Sequence, residues 1–94
     1  MTTPVRLTDM EIQQRLSVLD GWSLKGVQIT RQYHFKDFAE AMRFVNRVAE
    51  MAESANHHPD IFILYSRVML FLSTHSAGGL TEKDFTLATA IDDR

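Results

Sequence analysis

A chain of 94 residues, 45% hydrophobic and with a formal charge of -2, has the composition of one small soluble domain rather than of a disordered or fibrous segment. Having no cysteine, it can form no disulfide, thiolate nucleophile or Cys-ligated metal centre. Mild acidity and the lack of a Lys/Arg cluster argue against the phosphate-tracking surface of a direct nucleic-acid binder.

In chain order, Met1-Thr2-Thr3-Pro4-Val5-Arg6 carries no apolar stretch of a signal peptide. The longest apolar runs, Ile61 to Tyr65 and Val68 to Leu72, are too short to span a bilayer. A cytoplasmic location away from membranes is expected. Thr8-Asp9-Met10-Glu11 has the form of a capping box, in which each side chain satisfies the other residue's free backbone N–H. Ile12, Leu16 and Leu19 then recur on one helical face, which predicts a first helix from Thr8 to about Leu19, stopped by Asp20-Gly21. Trp22 to Lys25 reads as a short strand and Gly26 as a turn. From Val27 to Phe35, the apolar residues Val27, Ile29, Tyr33 and Phe35 alternate with polar ones, so a half-buried hairpin is expected. Arg31 interrupts the apolar face, which implies an edge position or a partner carboxylate.

Asp37 can cap the next helix, whose apolar positions Phe38, Ala41, Met42, Val45, Val48, Ala49 and Ala52 fit the helical repeat without an internal Gly or Pro. The helix should stop before His58, since the residue preceding Pro59 is driven out of the α region. Ile61 to Tyr65 and Val68 to Thr74 predict a second hairpin around the polar break Ser66-Arg67. A loop of Ser66-Arg67 would set His58 opposite His75, and a longer loop over Tyr65 to Arg67 would set His57 there. Both faces are apolar, so periodicity leaves the register open. Gly78-Gly79 is a turn, and Thr81-Glu82-Lys83-Asp84 starts a last helix whose apolar side is Phe85, Ala88 and Ile91. The order α-β-β-α-β-β-α predicts an α+β sandwich, one domain over residues 1–94, with three helices covering one face of a four-stranded antiparallel sheet. A chain this short builds one core, with net stability on the order of 5 to 10 kcal/mol, and pairing at open sheet edges would add to it.

Three of the four histidines, His57, His58 and His75, are thereby brought toward one junction. Imidazoles both take and give protons near neutral pH, so their convergence points to proton-transfer chemistry. Glu53 stands four residues before His57 and would orient that ring if the helix extends so far. Asp84 is already explained by helix capping. His34 reads as solvated surface, and Trp22, Tyr33 and Phe35 as core. Three imidazoles and a carboxylate can also bind zinc or non-haem iron, but adjacent histidines in an extended segment diverge, which disfavours joint ligation.

Glu53-x-x-x-His57-His58-Pro59, with Tyr65 six residues on, His75 ten further and Asp84 nine after that, resembles the signature of the pterin-4a-carbinolamine dehydratase family. The likeness extends to His34-Phe35-Lys36-Asp37-Phe38, Leu72-Ser73-Thr74-His75 and Gly79-Leu80-Thr81-Glu82-Lys83-Asp84, and it spans Leu7 to Ile91. The resemblance implies dehydration of 4a-hydroxytetrahydropterin to quinonoid dihydropterin, in tetrahydrobiopterin recycling, with no metal, nucleotide or redox cofactor. It implies His57 and His75 as acid/base residues and His58 as an aid to pterin holding and transfer. Asn56, Ser73, Thr74 and Ser76 would complete the pterin contacts, with Glu53 and Asp84 in support. Relatives assemble as homodimers or homotetramers, some act as dimerisation cofactors of a homeodomain transcription factor, and dehydratase-like chains occur as assembly factors. A protein-binding role without catalysis is therefore the rival expectation.

Overall fold

The computed structural model describes residues 5–93, so the reading of Met1 to Pro4 lies outside the described residues. Helix α1 (Asp9–Leu16) starts on a closed capping box: Thr8 N–H donates to Glu11 Oε1 at 2.9 Å, and Glu11 N–H to Thr8 Oγ1 at 3.2 Å. It ends earlier than the stripe of Ile12, Leu16 and Leu19 predicts. Val18 N–H and Leu19 N–H turn to carbonyls three residues back, and this tighter winding places Leu19 in the core outside the helix.

Strands β1 (Ser23–Lys25) and β2 (Gln28–His34) form the first hairpin, with Lys25 opposite Gln28. Its loop is Gly26-Val27, with Gly26 at φ 64° as the first loop residue, so Val27 belongs to the exposed turn and not to the alternating strand. Helix α2 (Phe38–Ala55) is capped by Asp37, whose Oδ1 accepts from Glu40 N–H at 2.8 Å. Strands β3 (Asp60–Leu64) and β4 (Arg67–Leu72) follow, then a single 3-10 turn (His75–Ala77) and helix α3 (Glu82–Asp92).

The sheet is antiparallel throughout, in the order β1-β2-β4-β3. Ile29 and Tyr33 of β2 lie opposite Leu72 and Val68 of β4, and all four are buried on one face. Ile12 of α1, Ala41, Phe44 and Val48 of α2, and Phe85, Ala88 and Ile91 of α3 join them in one core, so the α+β arrangement is as predicted. Phe44 packs its ring against Tyr33 and Phe35, with centroids 4.6 and 5.1 Å apart.

Arg31 sits on the buried side of a central strand, opposite Leu70. Its guanidinium reaches a carboxylate, Asp92 at the end of α3, at 2.9 Å, and also donates to Asp20 O at 2.8 Å. Asp92 further accepts from Trp22 Nε1 at 2.8 Å and from the Tyr33 hydroxyl at 2.6 Å. Gly21, at φ 87°, leaves room for this guanidinium; a Cβ there would stand 2.6 Å from its carbon.

The second hairpin takes neither expected register. Leu64 faces Arg67, so the loop is Tyr65-Ser66. This pairs Ile61 with Leu70 and Ile63 with Val68 on the core side. It also sets Phe62 edge-on to Phe71 on the other side, at 5.5 Å. The turn requires Tyr65 to adopt φ 55°, a left-handed conformation unusual for a residue with a Cβ. Strand β4 ends at Leu72, short of the expected Thr74, and His75 lies on the 3-10 turn beyond it. A single bridge between Thr74 and Gly79 closes the chain into the turn that carries it.

Candidate functional site

The end of α2 aims the histidine pair. Asn56 takes a left-handed φ of 50°, and His57 N–H returns to Ala52 O at 3.0 Å, the six-to-one closure of a Schellman motif. That reversal takes His57 off the face expected to meet Glu53. Glu53 instead bonds His58, through Oε2 and Nε2, on the exposed surface. His57 turns inward, where its Nε2 lies 2.6 Å from Asp84 Oδ1. The His57 side chain is 11% exposed and Asp84 is fully buried.

Asp84 lies in the first turn of α3 and closes the capping box of Thr81, whose backbone N–H donates to Oδ2 at 2.9 Å. Oδ2 also accepts from the Thr74 hydroxyl at 2.9 Å, and Thr74 Oγ1 lies 2.8 Å from Thr81 Oγ1. Capping is thus half of what this carboxylate does; its other oxygen reaches the imidazole. The four-residue capping pattern explains Thr81 and Asp84 so completely in sequence that nothing in it signals the second contact.

Asn56, His57, His58, Ser73, Thr74, His75 and Ser76 all line one open cleft of about 340 Å³. Residues far apart in sequence meet there because β3 begins beside the end of β4, which seats the His57-His58 turn against the loop after Leu72. His75 stands exposed on its 3-10 turn. Thr74 differs from the other expected pterin contacts: it is 4% exposed, its N–H donates to Gly79 O, its carbonyl accepts from Ala77 N–H, and its hydroxyl faces Asp84. Lys83 also lines the cleft, a residue absent from the sequence-based expectation. Its place in the capping box explains that, since the second turn position is ordinarily solvent-facing. A wider groove of about 690 Å³ between α2 and α3 adjoins, sharing His57 and Lys83 with the cleft.

Among the described residues, no three His, Asp or Glu side chains are grouped to hold a metal ion. Two imidazoles with carboxylate partners and a third open to solvent, around one polar cleft, make a site suited to general acid–base chemistry. The class is therefore an α+β protein with a histidine-lined cleft.

Comparison with known proteins gives the family. Residues 5–94 match the model of the pterin 4 alpha carbinolamine dehydratase family, and the chain belongs to that family. A relative from Koribacter versatilis is 53% identical over 87 residues, 93% of each chain, and one from Thermomicrobium roseum is 57% identical over 83 residues, 88% of this chain and 89% of its own. Both are named, provisionally, as pterin-4-alpha-carbinolamine dehydratases. A crystal structure from Brucella melitensis, described as a transcriptional coactivator/pterin dehydratase, superposes with a TM-score of 0.89 at 42% identity, covering 94% of this chain and 96% of that one. A pterin dehydratase-like RuBisCO assembly factor of the alpha-carboxysome shares the fold, with a TM-score of 0.63 at 20% identity over 77% of this chain and 83% of its own.

Proposed function

We propose that this chain dehydrates 4a-hydroxytetrahydropterin to quinonoid dihydropterin and water. The observation that carries the reading is the single cleft lined by His57, His58 and His75, with His57 held against buried Asp84. The reaction breaks the C–O bond at the 4a carbon. The departing hydroxyl takes a proton and leaves as water, while the electron pair of a ring N–H bond forms the new C=N bond as its proton goes to a base. His57 and His75 are the acid/base pair, and His58 with Asn56, Ser73 and Ser76 holds the flat ring by its donor and acceptor edge. No redox change occurs, so the reading calls for no cofactor. It goes with a single domain in the cytoplasm, serving tetrahydrobiopterin recycling, and with a homodimer or homotetramer.

Stopped-flow mixing with chemically generated carbinolamine tests this. His57→Ala and His75→Ala are each expected to lower the enzymic rate by about 100-fold or more, with circular dichroism unchanged and with no sensitivity to chelator in the parent protein. A double variant as fast as the parent would refute the assignment.

A second reading, a protein-binding module, is favoured by the edge strand β3 and its turn, where Phe62, Leu64 and Tyr65 are 50%, 46% and 69% exposed. The Brucella relative's description as a coactivator points the same way. Full activity with no captured protein partner would set it aside.

A further inference from the structure

We propose that Thr74 and Thr81 are positioning residues for His57: their buried hydroxyls hold Asp84 as an acceptor-only carboxylate, which keeps the His57 proton on Nε2 and leaves Nδ1 as the proton-accepting atom. The part concerning Nδ1 in catalysis rests on the dehydratase reading; the part concerning the tautomer does not.

The argument is a count of hydrogens. Each hydroxyl has one proton to donate. Thr81 Oγ1 already accepts from Lys83 N–H at 3.2 Å, and Asp84 Oδ2 already accepts from Thr81 N–H at 2.9 Å. Thr74 Oγ1 lies between Thr81 Oγ1 at 2.8 Å and Asp84 Oδ2 at 2.9 Å. One arrangement gives every hydroxyl proton an acceptor and places two donors on Oδ2. Thr81 donates to Thr74, and Thr74 donates to Asp84. Residues 74, 81 and 84 are 4%, 2% and 0% exposed, so water does not compete for these positions.

The consequence passes to the other oxygen. With two buried donors on Oδ2, the bonds are charge-assisted when Asp84 is ionised, and an ionised carboxylate only accepts. His57 Nε2, 2.6 Å from Oδ1, must then be the donor. In the neutral ring Nδ1 carries the lone pair. Nδ1 has no hydrogen-bond partner among the described residues, and no buried side-chain nitrogen or oxygen among them lacks one, so Nδ1 is accessible from outside, where His57 lines both the cleft and the adjoining groove. A base oriented by a buried carboxylate through its far nitrogen follows the logic of hydrolase triads. This gives His57 the task of removing the ring N–H proton and leaves His75, exposed on its turn, to protonate the leaving hydroxyl.

Long-range proton–nitrogen correlation on the nitrogen-15-labelled protein reads the tautomer directly, with His57→Gln identifying the signals. The expected parent spectrum shows neutral His57 protonated at Nε2 and bare at Nδ1. Thr74→Val, which keeps shape and removes the hydroxyl, is expected to mix the tautomers and lower kcat by about 10-fold or more with KM changed less than about twofold. Thr74→Ser should restore both. A parent His57 with its proton on Nδ1 overturns the proposal, as does Thr74→Val with the parental tautomer and kcat. The parent spectrum decides even if the valine variant fails to fold. Parent protein that turns over no carbinolamine refutes the dehydratase reading alone, since the tautomer is measured without substrate.

Discussion

A single carboxylate, Asp84, joins the stability of this protein to the proposed chemistry. It is fully buried and hydrogen-bonds three groups, His57 Nε2, the Thr74 hydroxyl and Thr81 N–H. Asp84→Ala would leave all three without their partner, a change of the kind that costs about 3 kcal/mol or more. Urea unfolding should show a midpoint lowered accordingly, alongside loss of carbinolamine turnover in the folded fraction. Asp84→Asn keeps the shape and one acceptor, so it should recover much of the stability and little of the activity; equal recovery of both would separate the carboxylate from catalysis. Glu53 and His58 contrast with this couple. Their side chains are 77% and 55% exposed, so solvent screens the pair and it adds little to folding.

At the scale of elements, helix termini do most of the positioning. The left-handed Asn56 ends α2 and turns His57 inward, and the first turn of α3 presents Asp84 to meet it. Helix α1 contributes no residue to the cleft and is a clean test of capping. Thr8→Ala should cost about 1 kcal/mol by chemical denaturation, with activity unaltered. The capping box also predicts a pH dependence. The Thr8 backbone N–H, and after it the Thr8 hydroxyl, hold the Glu11 carboxyl below its ordinary value of 4.5. A carboxyl lowered on folding stabilises fully above its unfolded value and ceases to do so as pH falls through the folded one. Glu11→Gln should therefore flatten part of the acid limb of the stability profile below about pH 4.5 and leave the neutral region comparatively unaffected in slope.

For the molecule as a whole, two polar centres fix the third helix. Asp84 anchors its start to the cleft, and Asp92 anchors its end to Trp22, Arg31 and Tyr33. Arg31 also holds the loop after α1 through Asp20 O and lies 4.7 Å from the centre of the Tyr33 ring. Arg31→Met keeps the apolar stem and removes the charge, and it should destabilise by about 1–2 kcal/mol, read as a lower thermal midpoint. Because Asp84 stands at the other end of the same helix, a fall in turnover beyond that of the unfolded fraction would show that the clamp also sets the site. Among the described residues no helix is long and apolar enough to cross a membrane.

How far the sequence reached follows from the range of the forces involved. Capping boxes, helical stripes and β-alternation act within a few residues, so all three helices, all four strands and their order were legible, as was the motif that marks the family. Arg31 was legible only as a question, because its carboxylate is 61 residues away. The hairpin register was not legible: both faces of β3 and β4 are apolar, and the choice fell to a left-handed Tyr65 and to ring packing across the sheet. The pairing of His57 with Asp84, and of Glu53 with His58, likewise depended on how Asn56 ends a helix and where α3 docks. Local chemistry named the three histidines of the cleft and the family resemblance named Asn56, Ser73, Thr74 and Ser76; only the packed core, by bringing the ends of α2, β4 and α3 together, decided which of them touch.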